Sequence, residues 1–298
     1  MTRPPIDALR DLATISGLLA LGVLVFVEVA LVVALWRYNS SRPGAPSTLA
    51  GDRRVEVVWT AVPVLILAVL IVAMTGTVRE IGAFSAAPAG TAYEIDVRAG
   101  QFWWEYRYPD GTVTANELRI PVATPILLRV ESRDVIHSYW IPPLGPKVDA
   151  VPGKTNLLRL YADEPGTYDG ACAEFCGLEH AWMRVRAIAM PREEFDRWLA
   201  AEGRPAARDA AGEKVFHEQL CGVCHTVRGT EAAGTAGPDL THVASRTTLG
   251  AGVLANDAAA LRRWLSDTQG VKPGALMPTV PLTPGELDAL VAYLGSLR

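Results

Sequence analysis

A short segment in the second half of the chain concentrates side chains that bind soft metal ions. Cys172 and Cys176 supply two thiols, and His180 and Met183 follow with an imidazole and a thioether. Thiolates and thioethers favour copper among the common biological metals. Copper is therefore the first interpretation of this segment, and a zinc site of two cysteines and two histidines is the alternative for the same residues.

Either metal requires one more imidazole than this segment contains. His137, in the run from Asp134 to Trp140, is the uncommitted histidine in the same part of the chain. A mononuclear blue-copper site needs a single cysteine, so the second thiol would be surplus there. Two thiolates can instead bridge two copper ions that share one delocalised electron.

A second pair of cysteines has the form of a haem attachment site. Cys221 and Cys224 are followed directly by His225. In c-type cytochromes the two thiols bond to the haem vinyl groups, and the adjacent imidazole takes one axial position on the iron. The pattern therefore predicts covalent haem c, whereas the two cysteines without the histidine are more typical of redox or zinc sites.

The sixth iron ligand must come from elsewhere in the C-terminal part of the chain. Met277 stands on an extended stretch before the last predicted helix, and a methionine ligand raises the reduction potential of the iron. His217 and His242 are rivals, but we expect His217 to be solvated on a helix and His242 to lie at the surface or beside a haem propionate. Gly237 to Leu240 follows at a distance suited to supporting the back of the His225 ring.

Composition limits the classes of protein to which the chain can belong. It has 298 residues, which allows two or three domains, and its formal charge of −4 gives no basic field for nucleic acid. The four cysteines fall into two close pairs. Disulfides are the simplest explanation for cysteines in an exported chain, yet the neighbouring histidines and methionine favour metal and haem binding.

Two long apolar runs occupy the N-terminal part of the chain. They cover about residues 15–36 and 55–76, and each would form a helix of about 30 Å, enough to cross the core of a bilayer. A cleaved signal peptide is the alternative for the first run, but the run is longer than usual and has no convincing cleavage site. We therefore predict a transmembrane helical hairpin.

Basic residues between the two runs predict the orientation of the hairpin. The connection holds Arg37, Arg42, Arg53 and Arg54 against Asp52 alone. Positively charged connections remain in the cytoplasm. The rest of the chain is therefore expected on the periplasmic or outer face of a bacterial inner membrane.

Short alternating runs follow the hairpin and are typical of strands. Tyr93 to Ala99 and Phe102 to Tyr108 alternate between two faces. Further β-rich runs, separated by proline, glycine and aspartate, cover Ile126 to Val130, Val135 to Ile141, Asn156 to Tyr161 and Met183 to Met190. Several short strands of this kind predict a β-sandwich, closed by a helix from Glu193 to Leu199.

The pattern becomes helical towards the C-terminus. Thr283, Pro284 and Glu286 form the N-terminal signature of a capped helix, which continues with an apolar stripe of Leu287, Leu290, Val291 and Leu294. Ala83 to Thr91 and Glu202 to Arg208 are predicted linkers. The predicted divisions are a membrane hairpin with linker at 1–91, a sandwich domain at 92–201 and a linker with a helical domain at 202–298.

The two ligand motifs together resemble those of one known family. His137-Ser138-Tyr139-Trp140, with the cysteines, histidine and methionine of the later segment, looks like the CuA site of cytochrome c oxidase subunit II. The membrane hairpin matches that family's layout, and a fused haem domain is typical of its caa3-type members. The resemblance implies a multidomain chain: a transmembrane hairpin, a cupredoxin-like sandwich and an all-α class I cytochrome c domain.

The same resemblance implies roles for individual residues. Two copper ions would have six ligands: Cys172 and Cys176 as bridges, His137 with Met183 on one ion, and His180 with the backbone carbonyl of Glu174 on the other. The carboxylate of Glu174 would bind magnesium shared with subunit I. Glu56, at the cytoplasmic start of the second span, would lie at the mouth of the K proton pathway, with a plain interfacial carboxylate as the alternative.

The chain departs from the family pattern beside Gln101. The family has a tryptophan directly after this glutamine, where electrons enter from a docked cytochrome, whereas this chain has Phe102. Trp103 and Trp104 follow and are the candidates for that role. Their alternative role is to fill the sandwich and its rim.

The expected function is that of the electron-transfer subunit of a proton-pumping terminal oxidase. Electrons would pass from an external cytochrome or respiratory complex to haem c, then to CuA and on to subunit I, where oxygen is reduced to water. Subunit III is a further expected partner. The copper subunit of a nitric oxide reductase is one alternative. A structural subunit of the quinol-oxidase type is another, and the ligand residues argue against it.

Overall fold

The computed structural model of the chain describes residues 5–38, 51–86, 93–205 and 210–298. The chain divides into two units, Met1–Ala87 and Pro88–Arg298. Arg42 of the predicted basic connection lies outside the described residues, as do most of the first predicted linker and the end of the second.

Two long apolar helices make up the first unit. Helix α1 spans Pro5–Arg37 and α2 spans Arg53–Ala86. Both are long and apolar enough to cross a membrane. Each extends beyond its predicted span at both ends, because hydropathy marks the apolar length of a helix and not where the helix begins and ends. The predicted linker from Ala83 is therefore helical as far as Ala86.

Two five-stranded sheets form the sandwich of the second unit. The first contains, in spatial order, β3 (Val113–Ala115), β2 (Trp103–Arg107), β1 (Tyr93–Gly100), β5 (Ile126–Ser132) and β8 (Asn156–Leu160). The second contains β4 (Glu117–Pro121), β10 (Arg184–Met190), β9 (Gly166–Cys172), β6 (His137–Trp140) and β7 (Val148–Ala150). Strand β1 runs parallel to β5 and antiparallel to β2, and β10 runs parallel to β4 and antiparallel to β9.

The alternating residues of the first two strands form the core, as predicted. Ile95 and Val97 of β1 are buried, and Trp104 and Tyr106 of β2 are fully buried. Trp104 packs edge-on against Tyr139 of β6, with ring centroids 5.0 Å apart. Aromatic contacts of this kind join the two sheets. The prediction of a β-sandwich is confirmed.

Helix α3 (Arg192–Glu202) closes the sandwich, as predicted, but is longer than the predicted helix. Phe195 is fully buried and meets Tyr93 edge-on, with ring centroids 5.4 Å apart. Glu202 was assigned to a polar linker, but the structure buries it. Its backbone carbonyl accepts a hydrogen bond from the Arg228 guanidinium at 2.6 Å, so this end of the helix is tied to the domain that follows.

Strands β3, β4, β7 and β9 were not predicted, and β9 matters most because it ends at Cys172. Gly170 explains why β9 lacks a sequence signature, since glycine weakens the pattern of a strand. A Cβ at this position would lie 2.1 Å from the Trp140 carbonyl oxygen and 2.9 Å from Cγ1 of Ile141. The residue that obscures the strand in the sequence therefore permits its close packing against β6.

The C-terminal part of the second unit is a small helical domain. It contains α4 (Ala210–Glu218), α5 (Ala258–Ser266), α6 (Thr268–Val271) and α7 (Pro284–Ser296), with a short hairpin of β11 (Thr248–Leu249) and β12 (Leu254–Ala255). The capping box of α7 is confirmed: Thr283 accepts from the Glu286 amide, and the Glu286 carboxylate accepts from the Thr283 amide. Leu290 and Leu294 of the predicted stripe are buried in the core of this domain.

Candidate metal and haem sites

Two buried cysteines and a histidine meet at the end of β9. Cys172 is the last residue of β9 and Cys176 lies in the loop that follows, with their sulfur atoms 3.8 Å apart. Nδ1 of His137, the first residue of β6, lies 3.9 Å from the Cys172 sulfur. One donor atom from each of the three residues lies within 4.8 Å of the other two. The sandwich thus joins two segments that are distant in sequence.

The remaining predicted donors surround the same two sulfur atoms. Nδ1 of His180 lies 3.8 Å from the Cys176 sulfur, and Sδ of Met183 lies 3.9 Å from it. The backbone carbonyl oxygen of Glu174 lies 3.2 Å from the Cys172 sulfur. The structure therefore brings all six predicted copper donors together.

Hydrogen bonds to the sandwich hold this loop in place. The Cys172 amide donates to the Met183 carbonyl at 2.9 Å, which closes the base of the loop. Within it, His180–Trp182 forms a 3₁₀ turn. The Gln101 side chain donates to the Cys176 carbonyl at 2.6 Å. Hydrogen bonds within the protein therefore hold the loop that carries these donors in place.

Asp134 orients the imidazole of His137, and sequence reasoning missed this residue. Its Oδ1 lies 2.8 Å from Nε2 of His137, which directs Nδ1 towards Cys172. Burial disfavours the charged imidazole, but the hydrogen bonds with Cys172 and Asp134 outweigh burial and raise the pKa of His137. A carboxylate on the outer nitrogen of a metal-binding histidine is a common supporting contact. Its position three residues before His137 was the available sequence signal.

Contact between the two thiols of the loop moves their pKa values in opposite directions. The hydrogen bond with Cys176 lowers the pKa of Cys172, and the same contact together with burial raises the pKa of Cys176. Ionisation of Cys172 is therefore favoured over that of Cys176. Since metal ions bind thiolates, binding would displace the remaining proton.

The chemistry of the donor set fits copper better than the alternatives. The cysteines are free thiols, and a sulfur separation of 3.8 Å is far beyond the roughly 2 Å of a disulfide bond. Structural zinc sites use thiolate, imidazole and carboxylate rather than thioether ligands. Met183 is fully buried with its sulfur beside Cys176, a position that suits a copper ligand.

The predicted haem attachment segment follows α4 directly. Cys221–Val223 forms a 3₁₀ turn, and Cys224 and His225 come next. Nδ1 of His225 donates to the Pro238 carbonyl at 2.8 Å, which leaves Nε2 for an axial bond. Burial lowers the pKa of His225, and this favours the neutral imidazole that binds iron. These residues fit haem c.

The segment after the attachment site supports the His225 ring, as the sequence suggested. A Cβ at Gly237 would lie 2.6 Å from Cε1 and 2.8 Å from Nδ1 of His225. Only glycine therefore lets the backbone pass so close behind the ring. The Pro238 carbonyl then fixes the orientation of the ring.

The candidate sixth ligands lie in different environments. Met277 packs, partly buried, against the helical core, as Cys221 also does. His217 is half-exposed on α4, as expected. His242 was expected at the surface or beside a haem propionate. The surface alternative is wrong, because the residue is buried, with Nε2 2.7 Å from the Arg204 carbonyl. That carbonyl satisfies the ring nitrogen, which makes its burial possible. The propionate alternative stays a prediction.

The two candidate tryptophans also differ. Trp104 is fully buried, with its ring centroid 6.0 Å from that of His137. Trp103 is partly exposed, and the Arg133 guanidinium lies over its ring at 4.7 Å. Of the two, Trp103 is the one at the surface. Glu56 lies in the first turn of α2, in the other unit.

Comparison with known proteins identifies relatives over almost the whole chain. Family models match residues 3–75 (cytochrome c oxidase subunit II, transmembrane domain), 111–190 (its periplasmic domain) and 210–298 (cytochrome c). Cytochrome c oxidase subunit 2 of Alkalihalophilus pseudofirmus is 37% identical over 286 residues, covering 93% of this chain and 82% of that protein. The protein of the same name from Bacillus subtilis is 33% identical over 318 residues, covering 98% and 89%. The crystal structure of the periplasmic domain of subunit II from Bradyrhizobium japonicum is 29% identical and covers 38% of this chain and 94% of that chain, with a TM-score of 0.36.

Proposed function

The chain belongs to the cytochrome c oxidase subunit II family, and on this basis we propose that it carries electrons from its own haem c through a two-copper centre to subunit I of a proton-pumping oxidase. The observation that carries the proposal is the convergence of six donors: the Cys172 and Cys176 sulfurs lie 3.8 Å apart, and four further donors lie 3.2–3.9 Å from one or other of them. A buried cluster of soft donors has little structural purpose without a metal. Oxygen reduction belongs to subunit I rather than to this chain.

The proposed ligands divide between two copper ions. Cys172 and Cys176 would hold both ions, His137 and Met183 would be further ligands of one, and His180 and the Glu174 carbonyl would be further ligands of the other. When bound, copper and haem iron each accept and release single electrons. The chain's own contribution is to hold the ligands in one arrangement, through Asp134 behind His137 and the hydrogen bonds that close the loop. Burial of the sulfurs also excludes water from the centre.

Haem c is proposed to bond to Cys221 and Cys224, with His225 and Met277 as axial ligands. The Pro238 hydrogen bond and the close backbone of Gly237 set the plane of the His225 ring. Met277 is supported by Gln269, whose side chain donates to its carbonyl at 2.9 Å. The protein therefore braces both candidate axial ligands.

The tip of the copper loop is proposed to face subunit I. Phe175 and Leu178 are 76% and 86% exposed there, which leaves apolar surface for a partner to cover. The exposed carboxylate of Glu174 beside them is the proposed magnesium ligand at that contact. Subunit III and an external cytochrome or respiratory complex are further proposed partners.

The proposed location is a bacterial inner membrane. Helices α1 and α2 anchor the chain, with spans at about residues 15–36 and 55–76, and the copper and haem domains lie on the periplasmic face. The proposed boundaries are those predicted from the sequence: a hairpin with linker at 1–91, a sandwich at 92–201 and a cytochrome domain at 202–298. Glu56 is proposed to lie at the mouth of a proton pathway.

Metal analysis and electron paramagnetic resonance of the purified complex test the proposal. We expect one haem c and two coppers on this subunit, with a resonance from one electron shared between two copper nuclei. A resonance from one isolated copper, or no copper resonance after loading, would contradict it. The measurement needs no variant, so it does not depend on how substitutions affect folding.

Two other functions share part of this architecture. The copper subunit of a nitric oxide reductase would have the same copper ligands, so consumption of nitric oxide rather than oxygen by the complex would identify it. A structural quinol-oxidase-type subunit needs neither copper nor haem ligands. The converging donors and the attachment segment disfavour that function.

A further inference from the structure

A buried lysine lies in the contact between the helical domain and the sandwich. Lys272 follows α6 in the helical domain and is only 4% exposed. Its Nζ donates to the carbonyls of Phe102 at 3.3 Å and Trp182 at 3.3 Å, both in the sandwich domain. It also donates to the Gly250 carbonyl of its own domain at 3.2 Å. One ammonium group thus joins three backbone segments from two domains.

On the sandwich side, these carbonyls belong to the segments that hold the copper donors. Phe102 follows Gln101, whose side chain binds the Cys176 carbonyl at 2.6 Å. Trp182 directly precedes Met183, which lies beside the Cys176 sulfur. Lys272 therefore contacts backbone that positions the copper loop.

On the helical side, Lys272 begins the loop that leads to Met277. The Gln269 side chain braces this loop by donating to the carbonyls of Ala275 at 2.8 Å and Met277 at 2.9 Å. Gly274 in the same loop lies against the copper loop, since a Cβ there would be 3.2 Å from Cβ of Leu178. The loop that bears the proposed haem ligand therefore passes close to the loop that bears the proposed copper ligands.

Other contacts continue the interface around this point. The Arg184 amide, at the start of β10, donates to the Ala251 carbonyl of the helical domain at 3.3 Å. Glu117 of β4 is 2% exposed, and its Oε1 accepts from the amides of Thr247 and Thr248 at 2.7 and 2.8 Å. The same oxygen accepts from both threonine hydroxyls at 2.6 and 3.0 Å. Hydrogen bonds to buried charged groups thus cross the interface at two separate points.

Such burial distinguishes a permanent contact from a transient one. Transient electron-transfer partners meet through small, wet interfaces whose charges stay solvated and respond to salt. Separating these two domains would instead break hydrogen bonds to the Lys272 ammonium and the Glu117 carboxylate. A haem domain swinging on its linker would not require charged groups buried in this way.

We propose that Lys272 is a positioning residue that locks the Met277 loop of the haem domain onto the copper loop, so that electrons cross a fixed contact within the chain. The proposal rests on the proposed function, because it presupposes haem and copper on the residues named above. Electron transfer slows steeply as the distance between two centres grows, so a fixed contact sets the rate.

The buried charge of Lys272 is better explained by a positioning role than by a contribution to folding stability. Burial lowers the pKa of Lys272 to about 8, and the nearby carboxylate of Glu179 partly opposes this effect. The ammonium is therefore mostly protonated at neutral pH. A buried charge contributes little net stability, but it disfavours arrangements that leave its hydrogen bonds unmade.

Replacing Lys272 in the assembled complex tests this role. Lys272→Met keeps the length of the side chain and removes the ammonium, and Lys214→Met changes an exposed lysine of α4 as the control. A laser flash with a soluble photoreductant delivers an electron to haem c, and the absorbances of haem c and the copper centre are followed. Transfer should be slower in Lys272→Met than in Lys214→Met, with the haem and copper spectra unchanged. An unchanged transfer rate would overturn the proposal.

Salt dependence and deuterium exchange provide two further tests. The transfer rate should be insensitive to ionic strength, because no docking step precedes it. The Arg184 and Thr247 amides should exchange slowly with deuterium, since each donates across the interface. In Lys272→Met, exchange at Arg184 should accelerate. Strong salt dependence, or rapid exchange at Arg184 in the unmodified complex, would show that the domains are not locked.

The two proposals fail in different ways. A complex without copper or haem c would refute the proposed function, whatever the deuterium exchange. A complex that contains both centres but transfers electrons equally well with Lys272→Met would refute only the positioning role.

Discussion

Asp134 and His137 are joined by a hydrogen bond of 2.8 Å between Oδ1 and Nε2, which turns the other ring nitrogen towards the Cys172 sulfur. Asp134 is itself held, because its carboxylate accepts from the amides of Gln101 and Val135, each at 2.7 Å. The carboxylate thus links the proposed copper ligand His137 to the backbone at the rim of the sandwich.

Loss of this carboxylate should weaken the copper centre. In Asp134→Ala the imidazole is free to turn, so we expect copper affinity to fall about 10- to 100-fold, the usual effect of removing such a supporting group. Competition with a copper chelator measures the affinity. Asp96→Ala removes a half-exposed carboxylate on β1 and serves as the control. Equal affinities in the two variants would refute the role of Asp134.

The two buried methionines near the ends of β10 provide a matched pair. Met183→Leu removes the sulfur beside Cys176, whereas Met190→Leu makes the same change in the core. Exchange of methionine for leucine usually costs less than about 1.5 kcal/mol, so both variants should fold. Only Met183→Leu should alter the copper resonance and reduction potential, because a thioether tunes such sites. Similar copper spectra in the two variants would exclude Met183 as a ligand.

The axial methionine of the haem can be identified by absorption. Met277→Ala should abolish the weak band near the red end of the spectrum that marks sulfur bound to iron, and should lower the reduction potential. His217→Ala, on the half-exposed face of α4, should leave both unchanged. A band that survives in Met277→Ala would assign the sixth position to another residue.

Gly237 should be intolerant of a side chain. In Gly237→Ala the new methyl group would meet the His225 ring at 2.6 Å, so the ring or the backbone must move. Such overpacking costs about 1–3 kcal/mol and should shift the reduction potential of haem c. Gly295→Ala, in α7 with no atom within 4 Å of the new Cβ, is the control and should leave the potential unchanged. Redox titration of both variants makes the comparison.

Glu56 should affect proton uptake rather than the binding of copper or haem c. Glu56→Ala should slow proton uptake by the complex while copper and haem c remain fully loaded, because a pathway mouth concentrates and relays protons. Glu80→Ala removes an exposed carboxylate near the other end of α2 and is the control. Stopped-flow measurement with a pH indicator gives the uptake rate. Normal uptake in Glu56→Ala would leave this residue with only an interfacial role.

Local sequence was sufficient wherever chemistry depends on neighbouring residues. Cys221, Cys224 and His225 lie so close together in the sequence that they predict haem attachment without knowledge of the fold. The alternation from Tyr93 to Tyr108 predicted which side chains are buried, because a strand exposes its two faces in turn. The capped start of α7 was predicted for the same reason, since a helix cap involves residues only three apart.

Contacts between distant residues were beyond this reasoning. The burial of His242 was not predicted, because its partner, the Arg204 carbonyl, lies 38 positions away. Strand β9 was missed because Gly170 weakens its pattern, although that glycine is what fits against β6. Asp134 was overlooked because its position three residues before His137 does not by itself show that the two side chains meet.

The sequence alone therefore determined which functional segments this protein contains: two apolar runs long enough to span a membrane, a set of soft metal donors and a haem attachment segment. Each is encoded by residue types at short range. Only the tertiary structure decided how these segments are arranged: which nitrogen of His137 faces the thiols, and how Lys272 joins the haem domain to the copper loop across 90 positions of sequence. The orientation of His137 and the contacts of Lys272 depend on which surfaces meet after the chain has folded, so packing and hydrogen bonding between distant residues set them.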